Sequence, residues 1–374
     1  MAPAPAMPVL PAAAIDAPQL RWAEALHAAA LAPPPPVDEA LLLDWFRAHS
    51  TFYRRRIGRA RRLADVPPLE KAELANVPVA PGEDLRATRT SGTSGFQVSV
   101  VNDRREREFR RALLYRPQLF YDLPRLVHQV VFVDGNWCAT PDMPPKRFVY
   151  GGREYRTWFV GAAADPGPAW QLLDALRPQL IRGIASAILR FVELAPEPLA
   201  DIRPRYVGSG GEYLLPAWRA RIGEAFGAPV LDRYGATETG ALAWQCPHCG
   251  EYHANVDQVL LEDDADGLLA TPLFLRRQPL LRYRLGDRVR LGPPVVACPV
   301  RLPTLVIEAA RRDDWILAGD GQRVSPLAFQ FEQLPGLCAW RLHQAASGAL
   351  CLYYDAEDPP AVESRLREAL RAIV

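Results

Sequence analysis

Lysine is nearly absent from this chain of 374 residues. Among its 44 basic residues only Lys71 and Lys146 are lysines, and all the others are arginines. The sequence is also rich in alanine and proline, so the base composition of the gene is the simplest explanation of the preference. The chemical consequence is that a mechanism requiring a lysine side chain has only these two candidates.

Three other scarcities argue against whole classes of protein. The formal net charge is +1, which is not the balance of a general nucleic-acid binder. The chain contains no run of about 18 apolar residues, so we expect no membrane span. Six cysteines in a chain of this length do not indicate a disulfide framework. The cytoplasm is the expected location.

The composition and length indicate a globular protein with more than one domain. Hydrophobic residues make up 49% of the chain and charged residues 23%. The length suits one large domain and a smaller one. The first residues, MAPAPAMPVLPAAA, have no basic region and several prolines, which predicts a disordered leader at 1–16 and not a signal peptide. We predict a large domain at 17–311 and a small one at 312–374.

Strand and helix patterns alternate through most of the large domain. Strands are predicted at Leu126–Asp134 and Leu180–Ile184, and a second unit repeats the pattern from Tyr206 to Arg233. This alternation predicts an α/β fold with parallel sheets and helices. Short strands after Cys246 predict a β-rich subdomain, and the segment 337–373 predicts a small α+β C-terminal lid. Helices are predicted at 18–31, 38–62, 104–120, 170–177 and 216–226.

A loop of small hydroxyl residues and glycine has the composition of a phosphate site. Its residues are Thr90, Ser91, Gly92, Thr93, Ser94 and Gly95. Glycine lets the backbone turn so that N–H groups face a phosphate, and the hydroxyls add donors. No Gly-Lys-Ser/Thr follows, so this is not a Walker loop. A flexible turn is the alternative interpretation.

Two further glycine-containing segments follow predicted strands. In Gly208-Ser209-Gly210-Gly211-Glu212, small residues allow a flat ligand to lie against the backbone, although a plain strand-to-helix turn would look the same. The segment Tyr234-Gly235-Ala236-Thr237-Glu238-Thr239-Gly240 is predicted to be a loop, in which the aromatic ring can stack on a base. Its Thr-Glu pair can hold Mg²⁺ against phosphate oxygens.

Two charged segments follow later in the chain. Asp287, in Tyr283-Arg284-Leu285-Gly286-Asp287, can accept hydrogen bonds from a ribose diol. Arg311 can bind phosphate or ribose hydroxyls, and Asp313 with Asp314 can form a hinge. Solvated charges in turns are the alternative for both segments.

The order of these five motifs resembles the adenylate-forming superfamily of acyl-CoA synthetases and adenylation domains. Within it the chain looks most like the phenylacetate–CoA ligase branch, and the resemblance covers roughly Thr88 to Pro326. It implies ATP-dependent activation of a carboxylic acid, aromatic or otherwise compact, as acyl-AMP with release of pyrophosphate. It also implies transfer of the acyl group to the thiol of CoA or of a carrier protein's phosphopantetheine.

The resemblance implies a role for individual residues. Thr90, Ser91, Gly92, Thr93, Ser94 and Gly95 would bind the β- and γ-phosphates of ATP, with Thr93 among the catalytic residues. Gly210, Gly211 and Glu212 would flank the adenine, Tyr234 would stack on it, and Gly235 and Thr237 would complete the nucleotide site. Glu238 would bind Mg²⁺, Asp287 the ribose hydroxyls, and Arg311 ribose or phosphate, while Asp313 would be the hinge.

The chain departs from the superfamily pattern in two ways. Phe96-Gln97 follow the phosphate loop where relatives commonly have Lys-Pro. The superfamily also places a catalytic lysine late in the C-terminal lid, and this chain has no lysine after Lys146. The lid is expected to be shortened, so adenylation would be slow, would use an arginine, or would need a partner. Arginine is not a simple replacement, since its planar fork differs from an ammonium group.

A cysteine pair stands apart from the nucleotide motifs. Cys246-Pro-His-Cys249, with His253 and Cys298, resembles a structural zinc site, because a C-x-x-C turn presents two thiolates to one metal. Some members of this ligase branch carry Cys/His clusters at comparable places. His248 is an alternative to His253, and two reduced thiols in a turn are the alternative to zinc. A redox pair is disfavoured, since no matching helix start follows.

Three functional readings stay open. The first is a ligase for an aromatic or otherwise compact carboxylic acid, whose pocket Trp137 and Trp158 would line unless they belong to the core. The second is a nucleotide-binding, catalytically weak homologue that acts as a scaffold or carrier-protein partner. The third is an adenylation enzyme that serves only a carrier protein. The sequence leaves the oligomeric state open, a dimer included.

Overall fold

The computed structural model describes residues 22–89, 99–133, 135–309, 316–319, 323–324, 331, 334–345, 347–356 and 358–371. The α-helices in these ranges are α1 (Ala23–Leu31), α2 (Glu39–His49), α3 (Thr51–Ile57), α4 (Arg104–Tyr115), α5 (Pro166–Leu176), α6 (Ala185–Leu194), α7 (Pro216–Phe226) and α8 (Pro359–Arg371). The first ten strands are β1 (Arg86–Arg89), β2 (Ser99–Asn102), β3 (Leu126–Val133), β4 (Lys146–Tyr150), β5 (Arg153–Gly161), β6 (Leu180–Gly183), β7 (Tyr206–Ser209), β8 (Val230–Leu231), β9 (Arg233–Ala236) and β10 (Gly240–Gln245). The other strands are β11 (Tyr252–Ala254), β12 (Val259–Glu262), β13 (Leu269–Pro272), β14 (Tyr283–Arg284), β15 (Arg288–Gly292), β16 (Thr304–Ala309), β17 (Ile316–Leu317), β18 (Arg323–Val324), β19 (Leu337–Gln344) and β20 (Leu350–Ala356).

A six-stranded sheet with the order β4-β5-β3-β6-β7-β8 organises the first part of the chain. All of its neighbouring strands run parallel except the edge strand β4, which runs antiparallel to β5. Parallel strands separated by helices are what the sequence alternation predicts, and the α/β class is confirmed.

The two faces of this sheet differ in chemistry. Val130, Ile181 and Val207 share one face and pack against α5, α6 and α7 in a buried apolar cluster. Side chains alternate along a strand, so Arg182 lies on the opposite face, where its register partners are Val131 and Gly208. The first face is therefore a conventional core, whereas the second carries polar groups.

The chain then continues into antiparallel strands, which correspond to the predicted β-rich subdomain. A five-stranded sheet has the order β15-β16-β11-β10-β9, and β12, β13 and β14 form a three-stranded sheet. The hairpin of β9 and β10 corrects the prediction of a loop at Tyr234–Gly240, because Arg233–Ala236 is a strand. The segment at 208–212 is likewise not all loop, since Gly208 and Ser209 belong to β7.

Helix boundaries follow local capping chemistry. Asp103 accepts a hydrogen bond from the Glu106 N–H, and Glu106 accepts one from the Asp103 N–H, each at 2.9 Å. This reciprocal capping box begins α4. The helix predicted at 38–62 is wrong in its extent, because α3 ends at Ile57 before Gly58, whose φ is +52°. Only glycine adopts such a backbone without strain, and it stops the helix there.

The chain divides into two compact units. The second unit comprises 264–268, 286–290 and 307–374, and the first unit contains the rest. In the second unit, β19 and β20 form the predicted C-terminal hairpin, and Val362 and Leu366 of α8 lie in its apolar core. The leader predicted at 1–16 and the domain boundary predicted after residue 311 lie outside the described residues. Among the described helices, none has the length and apolar character needed to cross a membrane.

Candidate active site and metal centre

Two of the predicted nucleotide segments lie side by side at the carboxyl end of β7. The Arg233 Nε donates a hydrogen bond to the Ser209 carbonyl oxygen at 3.2 Å. A Cβ atom added to Gly210 would lie 3.2 Å from the Arg233 carbonyl oxygen. Ligands of α/β proteins bind outside the carboxyl ends of parallel strands, so this is the expected edge for a site.

Glu238 is buried in the turn between β9 and β10. Its side chain is 6% exposed, and its Oε1 accepts a hydrogen bond from the Tyr283 hydroxyl at 2.9 Å. The carboxylate predicted to bind Mg²⁺ is therefore held in one orientation by a residue of the fourth motif. A carboxylate oxygen is a ligand type that Mg²⁺ prefers.

Arg110 of α4 supports the same turn, and sequence analysis did not single it out. Its guanidinium donates to the Glu238 carbonyl oxygen at 3.1 Å and to that of Thr237. Burial lowers the pKa of Arg110 to about 10, although the charges of Glu106 and Glu238 act in the opposite direction. No motif marks Arg110, because it is one of five arginines in the sequence of its helix.

Gly235 is required by the close approach of the two hairpin strands. A Cβ atom at this position would lie 2.4 Å from the Gly240 carbonyl oxygen and 3.0 Å from the Ala241 Cα. Both are backbone atoms, so neither can move aside without opening the hairpin. The need for glycine at position 235 of the third motif is thus explained by the hairpin alone, independently of any ligand.

We expect Gly235→Ala to lower the free energy of unfolding by about 1–3 kcal/mol through overpacking. Chemical denaturation of the variant and of the unmodified protein measures this change in the free energy of unfolding. Gly167→Ala is the matched control, since the added methyl group would meet its first neighbour at 3.4 Å within α5. Equal stability of the two variants would contradict the account of the hairpin.

Glu212 has a local role of its own. Its Oε1 accepts a hydrogen bond from the Ser186 N–H, in the first turn of α6. Gly211, which precedes it, has a φ of +100°, a conformation that suits glycine. A carboxylate at a helix N-terminus is stabilised by the helix dipole, so capping explains Glu212 as well as contact with a nucleotide does.

The remaining predicted residues lie in several parts of the chain. Tyr234 and Thr237 are half-buried in and beside β9. Asp287 belongs to the second unit, where its carbonyl oxygen accepts a hydrogen bond from the Leu268 N–H at 2.8 Å. The loop Thr90–Gly95 and Arg311 lie outside the described residues.

Cys246, Cys249, His253 and Cys298 converge on one point, with their ligand atoms all within 4.8 Å of one another. The Sγ atoms of Cys246 and Cys298 are 3.7 Å apart. The Nε2 of His253 lies 3.4 Å from the Sγ of Cys249 and 3.4 Å from that of Cys298. A tetrahedral zinc ion with Zn–S bonds of about 2.3 Å requires separations of about 3.5–3.8 Å, so the geometry fits zinc.

The strands explain how these residues meet. Cys246 follows β10 directly, a tight turn at Gly250 reverses the chain, and His253 returns on β11. The Gly250 N–H donates to the Cys246 carbonyl oxygen at 2.9 Å, which closes the turn. Cys298 reaches the cluster from the segment between β15 and β16.

Histidine orientation in the cluster suits metal binding. The Nδ1–H of His253 donates to the Leu302 carbonyl oxygen at 3.0 Å, which leaves Nε2 facing the three sulfurs. Metal-bound histidines are commonly fixed by such a second hydrogen bond. His253 rather than the alternative His248 therefore belongs to the cluster.

The environment of the thiols argues against a redox pair. Burial raises the pKa of Cys246 to about 12, while the N–H groups of His248 and Cys249 act in the opposite direction. Reactive cysteines have lowered pKa values and often begin a helix, whereas Cys246 and Cys249 lie in a turn between strands. Four protein ligands, three of them buried, suit a closed structural site.

The fold itself has solved counterparts. A 2-hydroxyisobutyryl-CoA ligase in the postadenylation state is similar over 94% of this chain and 83% of its own, with a TM-score of 0.69 and 17% sequence identity. The chain has the fold of this CoA ligase. A structure of that ligase with 2-HIB-AMP and CoA in the thioesterification state gives a TM-score of 0.60 over 94% of this chain and 81% of its own, at 18% identity.

An aromatic-acid ligase shares the adenylate-forming fold in part. The anthranilate CoA ligase bound to anthranoyl-AMP matches 78% of this chain and 61% of its own, with a TM-score of 0.51 and 15% identity. No protein-family model and no curated protein sequence matches the chain. The adenylate-forming fold is thus established by structure, at sequence identities too low to transfer an activity.

Proposed function

We propose that this protein is an ATP-dependent ligase that activates a carboxylic acid as acyl-AMP and passes the acyl group to a thiol. The observation that carries the proposal is the adjacency of Gly210 and the β9–β10 hairpin at the carboxyl end of β7. These are the second and third motifs of the adenylate-forming pattern. The solved structures with this fold include ligases bound to acyl adenylates and CoA.

The reaction has two steps with balanced bonds. A carboxylate oxygen of the acid attacks the α-phosphorus of ATP, and the bond to pyrophosphate breaks. A thiolate then attacks the acyl carbon, and AMP leaves. Both steps depend mainly on positioning and on neutralising negative charge.

The residues have proposed roles within these steps. Thr90–Gly95, with Thr93, would bind the terminal phosphates, and Gly210–Glu212 with Tyr234 would enclose the adenine. Asp287 would bind the ribose, and Arg311 ribose or phosphate. Glu238 would hold Mg²⁺, which neutralises phosphate charge when bound, and Tyr283 would keep this carboxylate in position. The acid is proposed to be aromatic or compact, as in the phenylacetate–CoA ligase branch.

Pyrophosphate exchange tests the first step. The protein is incubated with Mg-ATP, labelled pyrophosphate and a panel of aryl and short aliphatic acids. Exchange that depends on one acid supports the ligase. A folded protein that binds ATP but catalyses no exchange with any acid would favour the scaffold alternative. The absence of lysine after Lys146 is the sequence feature that favours this alternative. Thioester formation with CoA would exclude a carrier-protein-only enzyme.

Replacing Glu238 by glutamine should lower the exchange rate about 100-fold, by analogy with the loss of one preorganised charge-stabilising group. The amide has the shape of the carboxylate and can still accept from Tyr283, so the loss would report charge. Glu224→Gln on α7 is the control, because Glu224 is exposed. An exchange rate within about threefold of the unmodified protein's would remove Glu238 from the mechanism.

We further propose that Cys246, Cys249, His253 and Cys298 hold a structural zinc ion. The sulfur and nitrogen separations and the fixed histidine tautomer support this assignment. The proposed role of the zinc ion is to hold β10, β11 and the segment before β16 together. Strand β10 also belongs to the hairpin that carries Glu238.

A further inference from the structure

Within the described part of the chain, Arg182 is a buried charge without a carboxylate partner. It lies near the carboxyl end of β6, is 5% exposed, and its Nη1 has no hydrogen-bond partner in the described structure. Its guanidinium carbon lies 4.4 Å from the centroid of the Tyr115 ring. A cation–π contact compensates only part of the cost of burying a charge.

Arg233 places a second positive charge beside it. The Arg233 guanidinium donates to the carbonyl oxygens of Ser209 and Leu114, and it forms no ion pair with any carboxylate of the described residues. Burial lowers its pKa to about 10, and repulsion by Arg182 contributes in the same direction. The neighbouring Asp232 is engaged by the Tyr252 hydroxyl at 2.6 Å.

Within the described residues, two polar groups on the same part of the sheet as Arg182 lack partners. The Tyr155 hydroxyl and the Gln129 Oε1 are buried and have no hydrogen-bond partner in the described structure. Burial raises the pKa of Tyr115, but the charges of Arg182 and Arg233 and hydrogen bonds from Arg182 and Gln129 together outweigh it, and the pKa is lowered. We call Arg182, Arg233, Tyr115 and Tyr155 the arginine–tyrosine cluster.

The position of this cluster connects it to the proposed active site. A Cβ atom on Gly210, a proposed adenine neighbour, would lie 3.5 Å from the Arg233 Nε. A Cβ atom on Gly208 would lie 3.2 Å from the Arg182 Cγ, so glycine there leaves room for the arginine. The cluster therefore combines two cations and one phenol donor without a partner in the described structure, that of Tyr155, near the strand ends where ligands bind.

Arg182 and Arg233 form no ion pair among the described residues, and the one neighbouring carboxylate whose charge attracts Arg233, Asp232, is hydrogen-bonded to Tyr252, so the two cations outnumber the carboxylates beside them. We propose that the acid activated by this protein carries a second carboxylate, which Arg182 and Arg233 bind. The inference rests on the proposed function. It names a dicarboxylic acid as the substrate class, with one carboxylate adenylated and the other held in the arginine–tyrosine cluster.

The test compares each diacid with its own monomethyl ester. Pyrophosphate exchange is measured with the unmodified protein on succinate, glutarate, phthalate, terephthalate and their monomethyl esters. We expect the preferred diacid to have a KM at least about 10-fold below that of its ester, since a charge-assisted pair is lost in the ester. Equal KM values across all pairs would overturn the inference while leaving the ligase intact.

Variants separate recognition of the second carboxylate from the reaction itself. Arg182→Gln should remove the preference for the diacid and leave exchange with the monoester within about threefold. Arg111→Gln, on the exposed side of α4, is the control. Loss of exchange with diacid and monoester alike, in a variant whose melting temperature is unchanged, would place Arg182 on the reacting carboxylate and overturn the proposal.

Direct binding decides the inference if no acid supports exchange. Calorimetric titration of the diacids into the protein without ATP should give heats that Arg182→Gln abolishes, with no binding of the esters. Absence of binding in the unmodified protein would overturn the anion site independently of the proposed function.

Discussion

Replacing Cys298 by serine is expected to remove bound zinc and to lower the melting temperature by more than about 10 °C. Structural zinc contributes roughly 10–16 kcal/mol of binding free energy in small zinc peptides, and binding to the folded state stabilises it. Cys298 is 3% exposed and contacts both Cys246 and His253, so its thiolate cannot be replaced by water without opening the cluster. Calorimetry and elemental analysis measure the two effects.

Cys351→Ser is the matched control for this experiment. Cys351 is an exposed thiol in β20, and its replacement should change neither the zinc content nor the melting temperature. Treatment of the unmodified protein with a strong chelator should reproduce the instability of Cys298→Ser. One zinc per chain in Cys298→Ser, or none in the unmodified protein purified with zinc present, would contradict the assignment.

Replacing Asp257 by alanine should lower the free energy of unfolding by about 3–5 kcal/mol, because it leaves a buried arginine without its counter-charge. Arg116 is fully buried and holds both Asp257 oxygens at 2.8 Å. Its other donors bind the Leu26 carbonyl oxygen and Asn255. Chemical denaturation with a two-state analysis gives the change.

The exposed pair of Arg104 and Glu108 provides the comparison. These residues lie one turn apart on α4, and the Arg104 side chain is 71% exposed. Glu108→Ala should cost about 0.3–0.5 kcal/mol, because water screens such pairs. If Asp257→Ala cost no more than Glu108→Ala, the buried pair would not be a principal support of the fold.

Periodicity and motif order predicted the strands at the centre of the parallel sheet and the four residues of the metal cluster. They placed β3 and β6 because apolar runs such as LVHQVVFV exclude a solvated segment. They missed the β9 strand, because glycine and threonine in YGATETG indicate a loop when the partner strand is unknown. They also passed over Arg110 and Arg182, whose significance depends on partners that the fold brings from distant parts of the chain.

The same limit applies to Arg116. It lies in a segment of ordinary composition, and only the structure shows that it joins Leu26 to Asn255 and Asp257. A single arginine forms no periodic pattern in the sequence, so pattern analysis cannot single it out. By contrast, the cysteines were visible because two thiols three residues apart are rare unless they share a ligand or a bond.

Helix α1 has a consequence for how the chain is made. The Leu26 carbonyl oxygen accepts a hydrogen bond from Arg116, which is in turn paired with Asp257. The Ala30 carbonyl oxygen accepts a hydrogen bond from the Arg301 N–H at 2.8 Å. On a ribosome these later residues emerge on the order of tens of seconds after α1. The first helix of the described residues can therefore complete its hydrogen bonds to the rest of the large unit only after Arg301 has left the ribosome.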